Sequence, residues 1–393
     1  MFPVHLQVFP FHLLPAIVGI AATAFAASYA VVVLISVLAW HARRPTAIPS
    51  ALQPVTLLKP LCGTEPGLYE HLRSFCVQDY ADFQIVFGVR DPADAALAVV
   101  KQLQAEFPHL AIDCVVSPQQ HGGNRKISNL INMAACARHD VLVMADSDTW
   151  VGPDYLATVT APLLDQRVGL VTCVYRGVPT AQVWSRLGAM YINEWFMPSV
   201  LLARLFGFAG YATGQTLCLR RDTLQAIGGL EAIADHLADD YRLGELVRGL
   251  GQRIVISHYE VDAQHDEPDL GSLVNHELRW MRTTRILRPL SYCFMFCSFS
   301  LPLAALGTLL AATAPALSSA AWALFWITAA ARLALHLTQR WGTGQPPLSD
   351  LWLLPWRDLL ICWIWWRSFF SYRVSWRGND FDVDANGVMR RLS

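Results

Sequence analysis

The sequence predicts an α/β domain flanked by membrane-spanning helices. Between residues 45 and 288, apolar runs typical of strands alternate with runs of helical periodicity. Such alternation favours a parallel sheet with right-handed crossovers. Residues 13–40 and 289–331 contain no Lys, Arg, Asp, Glu or His. Each stretch is long enough to cross a hydrocarbon layer of about 30 Å.

The composition agrees with a membrane-associated protein. Hydrophobic residues make up 54% of the chain and charged residues only 16%, and the formal net charge is -1. A charge balance so close to neutral does not favour a nucleic-acid partner, and we expect none. The nine cysteines include no C-x-x-C pair. We therefore expect reduced thiols in a protein that faces the cytosol.

The membrane segments can be placed and oriented from their flanking charges. Residues 13–40 form the first expected span. A cleaved signal peptide is less favoured, because no Lys or Arg precedes this apolar segment. His41 and Arg43 follow at once, so the positive-inside rule places the next residues in the cytoplasm. Residues 289–331 fit a hairpin of two spans, at about 290–311 and 318–338, with arginines beyond both ends.

The C-terminal region is more ambiguous. Residues 351–372 are rich in Trp but contain Arg357, Asp358 and Arg367, and each such charge costs ~2.5–3.5 kcal/mol at the centre of a span. An interfacial or re-entrant helix is favoured, and a fourth span is the alternative. The predicted division is an N-terminal anchor (1–44), an α/β domain (45–288), a hairpin (289–340), and an interfacial helix with a cytoplasmic tail (341–393).

Within the α/β domain, strands and helices can be assigned from periodicity. Pro92 is expected at the first position of its helix, where proline is well tolerated. Residues 179–208 form a long helical stretch with few charges, interpreted either as a core helix or as a surface helix resting on lipid. The predicted strands are 55–58, 83–89, 112–117, 141–145 and 168–174, and the other predicted helices are 66–79, 92–107, 125–138 and 242–250.

A pair of carboxylates follows the most apolar strand of the domain. Residues 141–145 are all apolar, as in a strand that is buried on both faces. Asp146 and Asp148 come next, at the carboxyl end, where open α/β sheets bind ligands. Two carboxylates at this spacing suit a divalent cation that is also bound by substrate phosphates. An acidic turn without a ligand is the alternative interpretation.

Other polar side chains stand at comparable positions. Asp91 follows another strand, Lys126 lies near a helix start, and Asp239 and Asp240 open a helix. Each has a plain structural interpretation. Asp91 can cap the helix before Pro92, Lys126 can be a solvated charge, and acidic residues are stabilised at a helix N-terminus.

A third group lies on the last helix before the hairpin. His276, Arg279 and Trp280 are spaced by three and four residues and therefore share one helix face. The alternatives are a structural role for His276 and a membrane-surface charge for Arg279, as for the nearby Arg282 and Arg285.

The order of these motifs resembles that of the family-2-like glycosyltransferases of the GT-A fold, a Rossmann-like nucleotide-sugar domain. More narrowly, it resembles the ceramide glucosyltransferase family, family 21. The resemblance covers residues 55–290 and the terminal spans. The sequences of residues 59–65 and 87–94 are most like those of the bacterial hopanoid-biosynthesis glycosyltransferases. The matching pieces are Lys59-Pro60-Leu61-x-Gly63, Asp91, Arg125-Lys126-Ile127-x-Asn129-Leu130, Asp146-Ser147-Asp148, Thr213-Gly214 before Leu217-x-Leu219-Arg220-Arg221, Ala238-Asp239-Asp240-Tyr241 and Arg279-Trp280.

The resemblance implies roles on the donor side. Asp148, with Asp146, would hold Mg²⁺ or Mn²⁺ against the diphosphate of a nucleotide sugar. Asp91 would accept hydrogen bonds from the uracil or ribose, and Lys126 and Lys59 would bind the donor.

It also implies roles on the acceptor side. Asp240, preferred to Asp239 because it directly precedes Tyr241, would act as general base. Arg279 would pair with the diphosphate, and Trp280 would pack against donor or acceptor. His276 stands where the family has Gln or Arg. This departure puts its donor or acceptor contact in question and argues against a processive polysaccharide synthase.

The expected function is inverting, metal-dependent transfer of a hexose from a UDP-sugar to a membrane-lipid hydroxyl. The acceptor would be a hopanoid polyol with UDP-N-acetylglucosamine, or a ceramide with UDP-glucose. The alternatives are a polyprenyl-phosphate glycosyltransferase, a polysaccharide synthase, and a membrane-anchored nucleotide-sugar binding scaffold without activity. The expected location is the bacterial inner (cytoplasmic) membrane, with several spans and the α/β domain facing the cytoplasm.

Overall fold

The structure is a computed structural model that describes residues 13–43, 48–49, 51–208, 210, 212–342, 346, 348–376 and 379–391. It divides into two compact units. The helical unit comprises Met1–Arg43 and Arg288–Arg367, and the sheet unit comprises Arg44–Leu287 and Ser368–Ser393. The sheet unit is therefore assembled from two separated parts of the sequence.

The regular elements are named here in chain order. The helices are α1 (Leu14–His41), α2 (Leu68–Cys76), α3 (Ala96–Glu106), α4 (Arg125–Ala134), α5 (Tyr155–Thr160), α6 (Val183–Tyr191), α7 (Met197–Leu205), α8 (Arg221–Ala226), α9 (Asp239–Gly249), α10 (Leu270–Leu287), α11 (Pro289–Cys293), α12 (Ser300–Ala311), α13 (Pro315–Gly342) and α14 (Leu354–Ser368). The strands are β1 (Val55–Pro60), β2 (Phe83–Val89), β3 (Ala111–Val116), β4 (Val141–Ala145), β5 (Thr149–Trp150), β6 (Val168–Pro179), β7 (Thr216–Arg220), β8 (Arg253–His265), β9 (Arg373–Trp376), β10 (Asn379–Val383) and β11 (Met389–Arg391).

The main sheet has the strand order β3-β2-β1-β4-β7-β6-β8-β5. Strands β3, β2, β1 and β4 are parallel, as predicted. The prediction of an all-parallel sheet is wrong beyond β4, because β7 runs antiparallel to both neighbours and β5 runs antiparallel to β8. The reversal brings the amino end of β7 to the same edge as the carboxyl ends of β1, β2 and β4.

The sheet is buried on both faces, as its apolar strands require. In β1, Leu57 and Leu58 are fully buried and belong to two different hydrophobic clusters. Alternate residues of a strand point to opposite faces, so the two clusters cover the two sides of the sheet. Full burial of such a side chain stabilises the fold by about 1.5–3 kcal/mol.

Two of the predicted helical segments differ from the structure. Helix α3 begins at Ala96 and not at Pro92, because the Oδ1 of Asp94 accepts from Ala96 N at 2.9 Å and ends a preceding turn. Residues 179–208 contain α6, a π-helical segment at Ile192–Phe196 and α7. Met190, Tyr191 and Leu201 are buried there, which supports the core-helix interpretation.

In the helical unit, α1 and α13 are each long and apolar enough to cross a membrane. The stretch expected to form a span at about 290–311 is bent by 70° between Pro289–Ser298 and α12. It would be a third span if the bent pair crosses the membrane as one. Helices α1 and α12 touch at Gly19 and Gly307. A Cβ atom on Gly19 would lie 2.5 Å from Ala311 N, so the close approach depends on small residues.

The last residues belong to the sheet unit. Strands β9, β10 and β11 form an antiparallel sheet in the order β11-β10-β9. The sequence analysis assigned these residues to a tail behind the interfacial helix. In the structure, Val374, Phe381, Val383 and Met389 are buried together with Leu237 and Ile286 of the same unit.

Candidate functional site

The predicted acidic pair, Asp146 and Asp148, lies in a turn after β4 that is held by hydrogen bonds. The carbonyl of Asp148 accepts a hydrogen bond from Gln264 N at 2.9 Å. Ser147 Oγ donates to Glu65 Oε2 at 3.2 Å. The turn is therefore held by β8 on one side and by the segment after β1 on the other. Glu65 was not identified as a site residue, although it belongs to the family-like wording of residues 59–65.

Lys59 lies beneath this turn, at the end of β1. Its ammonium group is fully buried, donates to the carbonyl of Asp146 and lies 3.7 Å from the ring centre of Phe75. Burial lowers the pKa of Lys59 to about 7, although Asp148 and Asp146 act in the opposite direction. The structure thus gives the predicted donor-binding lysine a supporting contact with the turn itself.

Asp148 has the chemistry of a cation ligand. Its Oδ1 is buried and has no hydrogen-bond partner among the described residues. Burial raises its pKa to about 7, and the neighbouring Asp146 and Glu65 add to the rise. A buried carboxylate crowded by like charge is stabilised in its ionised form by a cation. No cluster of three or more His, Cys, Asp or Glu suited to a metal occurs in the described part of the chain. Two carboxylates suit a divalent ion that takes its remaining ligands from phosphate and water.

Lys126 connects the turn to α9. Its Nζ lies 2.5 Å from Asp146 Oδ1 and 3.9 Å from Asp239 Oδ2. Burial alone would lower the pKa of Lys126, but Asp146 and Asp239 outweigh that effect and raise it. The lysine therefore remains charged between two of the predicted carboxylates.

Asp240 occupies the first turn of α9, as predicted. Its Oδ1 accepts from Tyr241 N at 2.7 Å. A Cβ atom on Gly214, which precedes β7, would lie 3.3 Å from Asp240 Oδ2 and 3.7 Å from Lys126 Nζ. A glycine here therefore keeps the space next to the Asp240 carboxylate free of a side chain. Burial, and next the charge of Asp239, raise the pKa of Asp240 to about 7. A carboxylate with this pKa is suited to general base catalysis near neutral pH.

Asn124 joins α4 to the start of α9. It is fully buried, and its Oδ1 accepts from Ile127 N at 3.1 Å, which caps α4. Its Nδ2 donates to His236 O at 2.9 Å and to Asp239 Oδ1 at 3.3 Å. The sequence analysis did not identify Asn124 as a site residue. An asparagine directly before a periodic helix is a recognisable N-cap signal, but its second set of contacts is visible only in the fold.

The preceding loop, which contains Gly122 and Gly123, is packed in place. Gly123 N donates to Asp235 Oδ1 at 2.7 Å. A Cβ atom on Gly122 would lie 2.5 Å from the carbonyl oxygen of Ala234. The glycines therefore permit close backbone contact with the segment that leads into α9.

The third predicted group lies in an aromatic cluster. Nδ1 of His276 lies 2.6 Å from Oε1 of the buried Glu267, and the ring of His276 lies 4.1 Å from that of Trp280. Trp280 also stacks on Tyr191, with centroids 5.5 Å apart. His276 and Trp280 therefore share a helix face, and Glu267 is a partner that the sequence did not reveal.

Tyr175, in β6, lies between this cluster and the carboxylates. Its ring centroid is 6.0 Å from that of Phe196, which lies 6.3 Å from Tyr191. Burial raises its pKa, and the charges of Asp240 and Asp148 add to the rise. No local sequence pattern distinguishes this tyrosine from others in the chain.

Asp91 stands apart from the other predicted site residues. It is exposed after β2, and its side chain accepts from Ala93 N at 2.8 Å. The hydrogen bond from the first residue of α3, Ala96 N, is accepted by Asp94 and not by Asp91. Asp91 faces solvent, whereas the described structure joins other predicted site residues: Lys59, Lys126, Asp146, Asp148, Asp239 and Asp240.

Comparison with known proteins gives consistent results. The sequence model of "Glycosyl transferase family 21" matches residues 17–389. "Ceramide glucosyltransferase 3" of Caenorhabditis elegans is 23% identical over 364 residues, covering 86% of this chain and 74% of that protein. "Ceramide glucosyltransferase 1" of the same organism is 24% identical over 239 residues, covering 60% of this chain and 50% of that protein. The chain thus matches about half the length of the latter relative.

One solved structure covers nearly the whole chain. It is the mannosyltransferase PcManGT of Pyrobaculum calidifontis, in complex with GDP-Man and Mn²⁺. The alignment covers 90% of this chain and 97% of the mannosyltransferase chain, with a TM-score of 0.51 and 18% sequence identity. The likeness confirms the expected GT-A fold.

Proposed function

The chain belongs to glycosyl transferase family 21, and we propose that it transfers a hexose from a UDP-sugar to a hydroxyl group of a membrane lipid, with inversion of configuration. The observation that carries the proposal is the meeting of two carboxylate pairs around Lys126, which lies 2.5 Å from Asp146 and 3.9 Å from Asp239. One pair suits a metal-bound diphosphate and the other suits proton abstraction.

On the donor side, Asp148 and Asp146 would hold Mg²⁺ or Mn²⁺, which when bound supplies Lewis-acid stabilisation of the leaving diphosphate. Lys126 adds positive charge at the same edge of the sheet. Arg279 is the proposed second diphosphate contact. Asp91, exposed after the neighbouring strand, is the proposed acceptor of hydrogen bonds from the nucleoside.

On the acceptor side, Asp240 would take the proton of the lipid hydroxyl as its oxygen attacks the anomeric carbon. The bond between that carbon and the phosphate oxygen breaks, and UDP leaves from the opposite face. General base catalysis contributes about 10²–10⁴-fold. Asp239 is the less suitable base, because its carboxylate already binds Asn124 and lies near Lys126.

A lipid acceptor is supported by the names of the relatives and by the aromatic cluster. Phe196 and Trp280 are only partly buried and offer apolar surface near Tyr175, and both rings stack on the buried Tyr191. A ceramide accepting glucose agrees with the relatives' names. A hopanoid polyol accepting N-acetylglucosamine agrees with the wording of residues 59–65 and 87–94. Both acceptors remain in the proposal.

The proposed location is the bacterial inner membrane, with the sheet unit in the cytoplasm. Not all of the flanking arginines used for orientation are surface charges. Arg332 pairs with Asp358 at 3.1 Å and Arg340 pairs with Asp350. The orientation therefore rests on the exposed Arg43 after α1 and the exposed Arg288 before α11.

The Arg332–Asp358 pair also bears on α14. Asp358 carries a charge that would disfavour contact with lipid, and in this pair it faces Arg332 of α13. Trp356, Leu359 and Trp363, spaced by three and four residues, are exposed. We propose that this face of α14 lies in the membrane interface, where Trp is enriched.

The proposal can be tested with the purified chain. Ceramide and a hopanoid polyol are each supplied with UDP-glucose and UDP-N-acetylglucosamine, with and without Mn²⁺, and products are identified by mass spectrometry. We expect one defined glycolipid in the presence of metal. Absence of transfer to every lipid would contradict the proposal, and a product that lengthens with time would indicate a polysaccharide synthase instead.

A further inference from the structure

We propose that residues 369–376 and 379–391 act as a brace that positions the proposed general base. This brace, formed by β9–β11 and the residues just before them, contacts α10 on one side and the segment leading into α9 on the other. The inference rests on the proposed function, since it assigns the brace a role in setting the position of Asp240.

Two arginines of α10 hold the beginning of the brace. Arg282 Nη1 donates to Arg373 O at 2.6 Å, and Arg285 Nη2 donates to Ser371 O at 2.7 Å. The guanidinium of Arg285 also lies 4.2 Å from the ring centre of Tyr372. These side chains, which the sequence suggested were membrane-surface charges, instead fasten a distant part of the chain to α10.

The end of the brace binds the residues just before α9. Met389 N donates to Asp235 O at 2.8 Å, and Gly387 O accepts from Leu237 N at 3.0 Å. His236 forms an isolated antiparallel bridge with Val388 between them. The bonded segment therefore ends two residues ahead of Asp239, where α9 begins.

Gly387 is the residue where the two sides meet. Its φ of +82° is in the left-handed region that favours glycine. A Cβ atom there would lie 2.9 Å from Leu287 Cδ2, at the end of α10, while its carbonyl binds Leu237. Asp384 fixes the turn by accepting from Val388 N at 3.0 Å. Little room exists for these parts to shift independently.

The brace is stable only when docked. A short antiparallel sheet needs an apolar face covered by another element, and here Phe381, Val383 and Met389 pack on Leu237 and Ile286. The same apolar contacts therefore stabilise the brace and hold the approach to α9 against α10.

The approach to α9 is also bound from the opposite side. Asp235 accepts from Gly123 N, and Asn124 donates to His236 O. If the brace loosens, the start of α9 loses one of its two supports. The turn at Asp146 and Asp148 keeps its own support from β4 and Lys59. Turnover should then fall while donor binding remains.

The test uses variants of the full chain. Phe381→Ala removes a buried side chain and Gly387→Val introduces a β-branched residue at positive φ. We expect kcat to fall, by up to about 10²-fold for a displacement near 1 Å, with the KM for the UDP-sugar within about twofold of the parent value. Phe381→Leu should restore most of kcat. Asp382→Ala, at an exposed position of the same strand, is the matched control and should leave kcat unchanged.

Hydrogen exchange provides a second measurement that needs no activity. In Phe381→Ala, amides of residues 235–241 should exchange faster while those of 141–148 do not change. The brace is rejected if residues 235–241 keep their protection, if exchange rises equally throughout the sheet unit, or if both variants keep the parent kcat. If the parent chain transfers no sugar, the proposed function fails, and the exchange result still decides whether the brace holds α9.

Discussion

The two halves of the candidate site are held in different ways. Asp146 and Asp148 follow β4, a strand buried within the sheet, and the buried Lys59 supports their turn from the adjacent strand. Asp239 and Asp240 open a helix whose start is held by Asn124 and by the end of the chain. The donor half is thus part of the sheet, whereas the base half depends on contacts distant in sequence.

The electrostatics of the two halves are nonetheless alike. The pKa of Asp148 and that of Asp240 are each raised to about 7, chiefly by burial and next by a neighbouring aspartate. Lys126 lies between the halves and opposes the rise in both. Two carboxylates in similar environments can therefore serve different steps, depending on whether a cation or a hydroxyl is brought to them.

The most direct way to separate the halves is Asp240→Asn. The amide keeps the shape of the side chain but cannot accept the proton, so kcat should fall about 10²–10⁴-fold with donor affinity unchanged. Single-turnover transfer and calorimetric titration with UDP measure the two quantities. Asp239→Asn is the matched control and should have a smaller effect. Near-normal turnover in Asp240→Asn would rule out Asp240 as the base.

Asp148→Ala should disable the other half. We expect the Mn²⁺-dependent part of donor binding to be lost. Mutation of a residue that only hydrogen-bonds a metal ligand lowers metal affinity by ~10–100-fold, and loss of the ligand itself should lower it at least as much. Titration of UDP with and without Mn²⁺ measures the difference. Asp140→Ala, at the opposite end of the same strand with a side chain 93% exposed, should bind like the parent. Equal metal dependence in Asp148→Ala and the parent would contradict the assignment.

Asn124→Ala should weaken the connection between the halves. It removes the cap of α4 and the bond to Asp239, which should destabilise the sheet unit by about 1–3 kcal/mol and lower kcat by less than Asp240→Asn. Thermal unfolding and steady-state kinetics report the two effects. Asn132→Ala, on the same helix, is the control. A loss of stability with kcat unchanged would make Asn124 a structural residue only.

The smallest expected effect is the pH dependence of turnover. Asp240 must be ionised to accept a proton, and burial raises its pKa to about 7, so kcat should rise with pH through neutrality and level off above it. For a single group with this pKa, kcat at pH 6 should be about tenfold lower than at pH 8. A kcat that stays constant down to pH 5 would show that the rate does not depend on this group.

The donor half was predictable because its signal is local. Five apolar residues followed by Asp146 and Asp148 predict a strand buried on both faces with the two carboxylates at its carboxyl end, and the structure confirms both positions. The helix start at Asp239 and the shared face of His276 and Trp280 were likewise visible as short patterns. Lys59 was identified from its motif, but its burial under the turn was not.

The remaining features depend on tertiary context. Strand β7 runs antiparallel, and nothing in Thr216–Arg220 encodes its direction. Strands β9–β11 are short, and their apolar residues become a core only beside Leu237 and Ile286. Pro92 is not the first residue of α3, because Asp94 binds Ala96 N and the helix begins there. Each case involves a contact from a distant part of the chain, which for Asp94 is the hydrogen bond that its Oδ2 accepts from Gly63 N at 3.0 Å.

The division of the sheet unit into Arg44–Leu287 and Ser368–Ser393 has a consequence for biosynthesis. A ribosome completes α11–α14 before it reaches the final strands, so the segment ahead of α9 has no partner from the chain's end until the helical unit has been made. If that unit enters the bilayer during translation, a fully braced site forms only on chains already at the membrane. The order of synthesis would then keep turnover low on unfinished chains, because their α9 lacks this support.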